Sequence, residues 1–159
     1  MPVRLSVVET LVSPSFRVFW LHARAENHLD DMRVSGRTAD AEDVGFAASA
    51  VAVATVADPG SVRVAVEIWS GQPLLLGDEP PFEYAVAGEA DLSTGRWCID
   101  ESHDHDVRAG TPLPGGPGRY GVRVTAYHRP DEHYRLQLWP VGRPRSRGDV
   151  LAGEAVERQ

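Results

Sequence analysis

The sequence predicts an all-β fold, an antiparallel two-sheet β-sandwich of about eight strands. Three observations point there. Apolar and polar residues alternate with period two in one segment after another, the pattern that gives a strand a core face and a solvent face. Proline, glycine and aspartate cluster between those segments, where turns need them. No long stretch shows the 3.6-residue period of the helices that join parallel strands.

The elements follow in order. An apolar run over residues 5–12 breaks at Ser13-Pro14, after which Phe16, Val18 and Trp20 alternate with Arg17, Phe19 and Leu21, so both segments read as strands. Residues 26–44 are polar and charged and are expected to form a mobile loop with a single helical turn at most. Residues 46–56 are rich in alanine, yet Val51, Val53 and Thr55 share a period-two face, which favours a strand. Over 61–69, Val62, Val64, Val66 and Ile68 oppose Arg63, Ala65, Glu67 and Trp69. Phe82, Tyr84 and Val86 mark the next strand, and residues 92–99 read as two strand ends joined by Ser93-Thr94-Gly95. The turn Pro114-Gly115-Gly116-Pro117-Gly118 introduces a strand over 119–128, with Tyr120, Val122, Val124 and Ala126 on one face. Tyr134, Leu136 and Leu138 then alternate with Arg135, Gln137 and Trp139, making a hairpin that Pro140 ends. The expected division is a sandwich domain over 1–141 and a flexible tail over 142–159.

A chain of 159 residues fits one domain and buries roughly 70% of its unfolded surface. Its 42% hydrophobic and 25% charged residues are ordinary for a folded globule. The single cysteine, Cys98, has no disulfide partner within the chain, which favours a reducing compartment, and the cytoplasm is expected. Glu9 interrupts the N-terminal apolar run too early for a secretory core, and no run reaches the roughly 18 apolar residues of a membrane helix. The formal net charge of −7 argues against a grip on nucleic-acid phosphate and suits a basic protein partner. All 16 basic residues are arginine, a composition expected of a GC-rich genome.

The segment richest in ligand-type side chains is Asp100-Glu101-Ser102-His103-Asp104-His105-Asp106. In extended backbone His103 and His105 share one face and Asp104 and Asp106 the other, a beginning for a metal site whose remaining ligands would come from His128, Asp131 or His133. The competing reading is a solvated acidic edge that resists edge-to-edge pairing. The spacing is not that of an EF-hand loop. Cys98 sits between Trp97 and Ile99, the setting of a buried, inert thiol. No nucleophile elbow, phosphate-binding glycine loop, zinc-protease helix motif or paired-cysteine spacing occurs, so no enzyme activity and no cofactor are expected. Trp69 and Trp139 lie opposite the aliphatic faces of their strands, either as a surface aromatic patch for a protein or glycan or as packing under a loop. Arg17, Arg63, Arg119, Arg123 and Arg135 mark solvent faces and are expected in surface ion pairs.

Three features together resemble a known family. They are the opening strands ending in Phe16-Arg17-Val18-Phe19-Trp20, the alanine-rich stretch over 46–54, and the hairpin Pro117-Gly118-Arg119-Tyr120-Gly121-Val122-Arg123-Val124 followed by Tyr134-Arg135-Leu136-Gln137-Leu138-Trp139-Pro140. The chain looks like the competence protein J type of small β-sandwich proteins, and like actinobacterial proteins that carry the same hairpin. The resemblance implies a non-enzymatic inhibitor or immunity protein acting on a nuclease or toxin. Its matching positions are core and turn positions, so it transfers no interface residues. An acidic inhibitor would imitate the polyanionic substrate of a basic nuclease and gain association rate by steering. The acidic residues of the two charged segments are then the candidate partner-binding set: Asp30, Asp31, Glu42, Asp43, Asp100, Glu101, Asp104 and Asp106. The alternative is a metal- or ligand-binding sandwich centred on His103 and His105 with Asp104 and Asp106.

Overall fold

The computed structural model describes residues 1–14, 16–56, 60–75, 81–102 and 105–143. Among them, ten strands pair into two five-stranded sheets, and a single helix lies against one of these. In chain order the elements are β1 (Arg4–Val12), β2 (Val18–His22), α1 (His28–Glu42), β3 (Val44–Phe46), β4 (Ala50–Ala54), β5 (Val62–Trp69), β6 (Tyr84–Leu92), β7 (Arg96–Ser102), β8 (His105–Pro112), β9 (Gly118–Tyr127) and β10 (His133–Gly142). The first sheet has the order β1-β5-β10-β9-β6 and the second β3-β4-β2-β7-β8. Every pairing is antiparallel except that of β5 with β10.

The alternating sequence builds the core directly. Val62, Val64, Val66 and Ile68 of β5, Val122 and Val124 of β9 and Leu136 and Leu138 of β10 face inward from the first sheet. Phe19, Leu21, Val51, Val53, Trp97 and Ile99 meet them from the second. Burying each such side chain contributes roughly 1.5–3 kcal/mol. Phe19 and Tyr134 join the layers edge to face, with ring centroids 5.5 Å apart. The β9–β10 hairpin forms as the sequence predicts, and its register pairs Leu136 with Val124 and Leu138 with Val122. β10 continues to Gly142, and residues 144–159 of the expected tail lie outside the described residues.

The expected loop over 26–44 is instead a four-turn helix, α1, running straight into β3. Its hidden stripe consists of Met32, Ser35 and Ala39, one apolar residue of size among small ones, while Leu29 and Val34 are exposed. The hydropathy pattern is thus nearly inverted relative to an ordinary surface helix. Specific contacts hold the helix on the second sheet. Trp20 Nε1 donates to the Met32 carbonyl at 2.8 Å, and Ser49 donates through its backbone N–H and its hydroxyl to Asp31 Oδ2 at 3.1 and 2.5 Å. The close approach requires Gly45, where a Cβ would stand 2.0 Å from the Ser35 carbonyl oxygen. Asp43 ends the helix in the left-handed region at φ 72°, its N–H bonded to the Ala39 carbonyl at 2.8 Å.

Candidate protein-binding surface

Helix α1 carries four of the acidic residues expected at a partner surface, and it divides them. Asp30 and Asp31 lie in its first turn, where unpaired backbone N–H groups favour negative charge. Asp31 is engaged by Ser49, and Asp30 pairs with Arg33 at 2.9 Å. Glu42 and Asp43 lie at the other end, about 18 Å along the axis. There Asp40, Glu42 and Asp43 are all exposed, and the last turn contains no basic residue. Carboxylates beside the unpaired carbonyls of a helix end cost about 0.3–1 kcal/mol each. Folding alone does not favour this arrangement.

Glu132 extends the acidic end. Its carboxylate accepts from the Val56 N–H at 2.7 Å and from the Tyr134 hydroxyl. Burial pushes the Tyr84 phenol well above its ordinary range, and the charges of Asp43 and Glu132 push it further. Burial likewise raises Tyr134, reinforced by its hydrogen bond to Glu132. Both phenols stay protonated at neutral pH, and the negative field at this end of the sandwich comes from the carboxylates alone.

The described residues of the 100–106 segment, 100–102 and 105–106, are strand residues. Residues 100–102 end β7 and residues 105–106 begin β8, with Asp100 opposite Asp106 and Ser102 opposite His105. Asp100 is only 4% exposed and lies on the face of the second sheet that α1 partly covers. Its Oδ2 is 3.4 Å from Nε2 of His22, a fully buried residue that the sequence reading did not single out. Nδ1 of His22 accepts from the Arg24 N–H at 2.9 Å, and its ring stacks on His28 with centroids 5.1 Å apart. Burial holds the His22 pKa below its ordinary value, and this outweighs the opposing pull of Asp100. Glu101 points elsewhere and accepts from the Ser13 N–H at 2.7 Å. His103, Asp104 and the side chains of His105 and Asp106 lie outside the described residues. Among the described residues no group of three or more His, Cys, Asp or Glu side chains could hold a metal ion. Cys98 is buried and its Sγ accepts from the Gly110 N–H at 3.2 Å.

The outer face of the first sheet carries a packed polar network rather than a free aromatic patch. Trp139 is 6% exposed and lies over Gly121, where a Cβ would stand 2.3 Å from the indole ring. Arg123 donates to Gln137 Oε1 at 2.9 and 2.7 Å and to the Pro73 carbonyl at 2.9 Å, which ties the 70–75 segment over the sheet. Buried Glu67 receives Gln137 Nε2 at 3.1 Å, Trp69 Nε1 at 2.9 Å and Arg135 at 3.2 Å. Arg63 pairs with Asp131 at 3.0 Å and Arg119 with Glu89 at 3.1 Å, the ion pairs expected of strand arginines. Cross-strand register places Glu67, Gln137 and Arg123 in one row, a signal available once the strand order is known.

A scan against protein-family models finds no match, and a search of curated protein sequences finds none either. Two solved structures share the fold. One is ComJ from Bacillus subtilis, described as an inhibitor of the DNA-degrading activity of NucA. It is 14% identical with a TM-score of 0.61, and the match covers 89% of this chain and 99% of that one. The other is described as crocagin biosynthetic gene J, at 16% identity and a TM-score of 0.57, covering 85% of this chain and 97% of that one. The competence protein J type of architecture expected from the sequence is therefore present at the level of the fold.

Proposed function

We propose that this chain is a non-enzymatic protein-binding module of the inhibitor or immunity type, acting in the cytoplasm on a basic partner of the nuclease class. The observation that carries the reading is the fold it shares with an inhibitor of a DNA-degrading protein over 99% of that chain's length. The net charge of −7 supports it, since a protein that works on a polyanion presents a basic surface. The contact surface in this reading is the acidic end of the sandwich, formed by Asp40, Glu42 and Asp43 of the helix terminus with Glu132 nearby. Charge kept where the helix disfavours it is a cost that binding would offset.

The test is a plasmid-degradation assay with the nuclease or toxin encoded beside this gene, the two proteins mixed at equal concentration in low and physiological salt. Stoichiometric protection that weakens as salt rises is expected. Equal degradation with and without this protein, and no complex on a sizing column, would remove the proposal. The paired substitution Glu42→Arg and Asp43→Arg is expected to weaken protection at least tenfold.

A further inference from the structure

A second feature of α1 has the opposite electrostatic sign. Between the helix and strands β2 and β4 lies an open groove of about 330 Å³, within the size range of small-ligand sites. Its floor is apolar, made by the half-buried Val18 and Ala54, with Trp20 and Met32 packed beneath them. Three arginines line it, Arg17, Arg33 and Arg37, together with Asp40. In a chain of net charge −7 these three arginines still outnumber the acids at the groove, Asp40 and the Asp30 that pairs with Arg33. Arg37 makes no ion pair among the described residues, and Arg33 is engaged only by Asp30 in a pair exposed on both sides, which another anion can displace. Phe16 also lines the groove and is 90% exposed. It and Arg17 are consecutive non-glycine residues in the left-handed region, at φ 58° and 60°, a strained conformation at the rim of the groove.

We infer that this groove is a binding site for an anionic amphiphile, a small molecule with one flat apolar group joined to one carboxylate or phosphate. The apolar body would lie on the half-buried Val18, Gly36 and Ala54 beside Phe16, and the anion would meet the guanidinium of Arg37, with Arg33 turning to it from Asp30. Arginine suits either anion because its planar fork pairs two oxygens at once. The site does not rest on the inhibitor reading: it uses the groove, shares only Asp40 with the acidic end, and leaves Glu42, Asp43 and Glu132 alone.

The probes are 1-naphthylacetate, 1-naphthyl phosphate and the neutral 1-naphthylacetamide, titrated into the full chain by calorimetry and by amide NMR shifts. One or both anions are expected to bind one to one with sub-millimolar affinity, moving the resonances of Phe16, Val18, Gly36 and Arg37. The tighter of the two identifies the source as a carboxylic or a phosphoric acid. The amide is expected to bind at least tenfold more weakly, as is either anion to Arg37→Gln. Ala54→Leu fills the floor without changing charge and is expected to abolish binding, while the melting temperature shows that the variant has folded. Acid and amide binding equally, shifts elsewhere on the protein, or no shift with either anion at several millimolar would each overturn the inference.

Discussion

Gly45 is the position where a single methyl group would do most damage. Its added Cβ would meet the Ser35 carbonyl at 2.0 Å and the Ala39 nitrogen at 2.9 Å, both helix backbone, with no flexible side chain to move. Gly45→Ala is expected to cost about 3 kcal/mol or more, read as a large fall in the urea midpoint at unchanged slope. His22 supplies a pH signature. Burial holds its folded pKa below 6.5, so the unfolded chain binds the proton first as pH falls. The stability linked to His22 is therefore complete above about pH 6.5 and lost as pH drops through the lower folded value. Urea titrations at pH 7.5, 6.0 and 5.0 are expected to show a shallower decline for His22→Asn, which retains an acceptor for the Arg24 N–H; parallel declines would refute this. Neither residue was legible in the sequence. A glycine between Val44 and Phe46 looks like any strand glycine, and a histidine after Leu21 gives no sign of the carboxylate that β7 brings to it.

At the scale of elements, the strands were readable and the helix was not, for one physical reason. A strand buried on one face must alternate, and β5, β9 and β10 do so with little ambiguity. Helix α1 packs over the small residues Ala50 and Ala52 of β4, so its own buried positions need little apolar bulk and give almost no period. The same disguise scattered the candidate site. In a loop, Asp30, Asp31, Glu42 and Asp43 would have been one mobile acidic segment, but the helix sends them to opposite ends. Only Asp40, Glu42 and Asp43 remain together in the open, and the sequence had no way to mark Asp100 as an interior residue. Glu42→Lys separates the two roles of that helix end. It is expected to raise stability by about 0.3–1 kcal/mol, since it puts a cation beside the terminal carbonyls, and to weaken a basic partner's binding. A thermal melt reads the first effect and the nuclease-protection assay the second.

At the scale of the whole molecule, period-two alternation was enough to predict two facing sheets, because each strand's aliphatic face has to find another. Strand order was beyond its reach. Nothing in the alternation of β5 and β10 distinguishes a parallel neighbour from an antiparallel one, and some 60 residues separate them in the chain. That order makes β10 the middle strand of the first sheet, bonded to β5 on one side and β9 on the other. A chain ending after residue 132 is expected to show no cooperative melting transition by circular dichroism; a sharp transition would count against a single shared core. The placement also sets a timetable for synthesis. Until residues 133–142 have been made, β1 and β5 can pair, and so can β6 and β9, but the two pairs have nothing to join them. The facing edges of β5 and β9 stay open until β10 emerges to fill the gap, and in that interval the nascent chain exposes its most apolar strands to whatever else can pair with them.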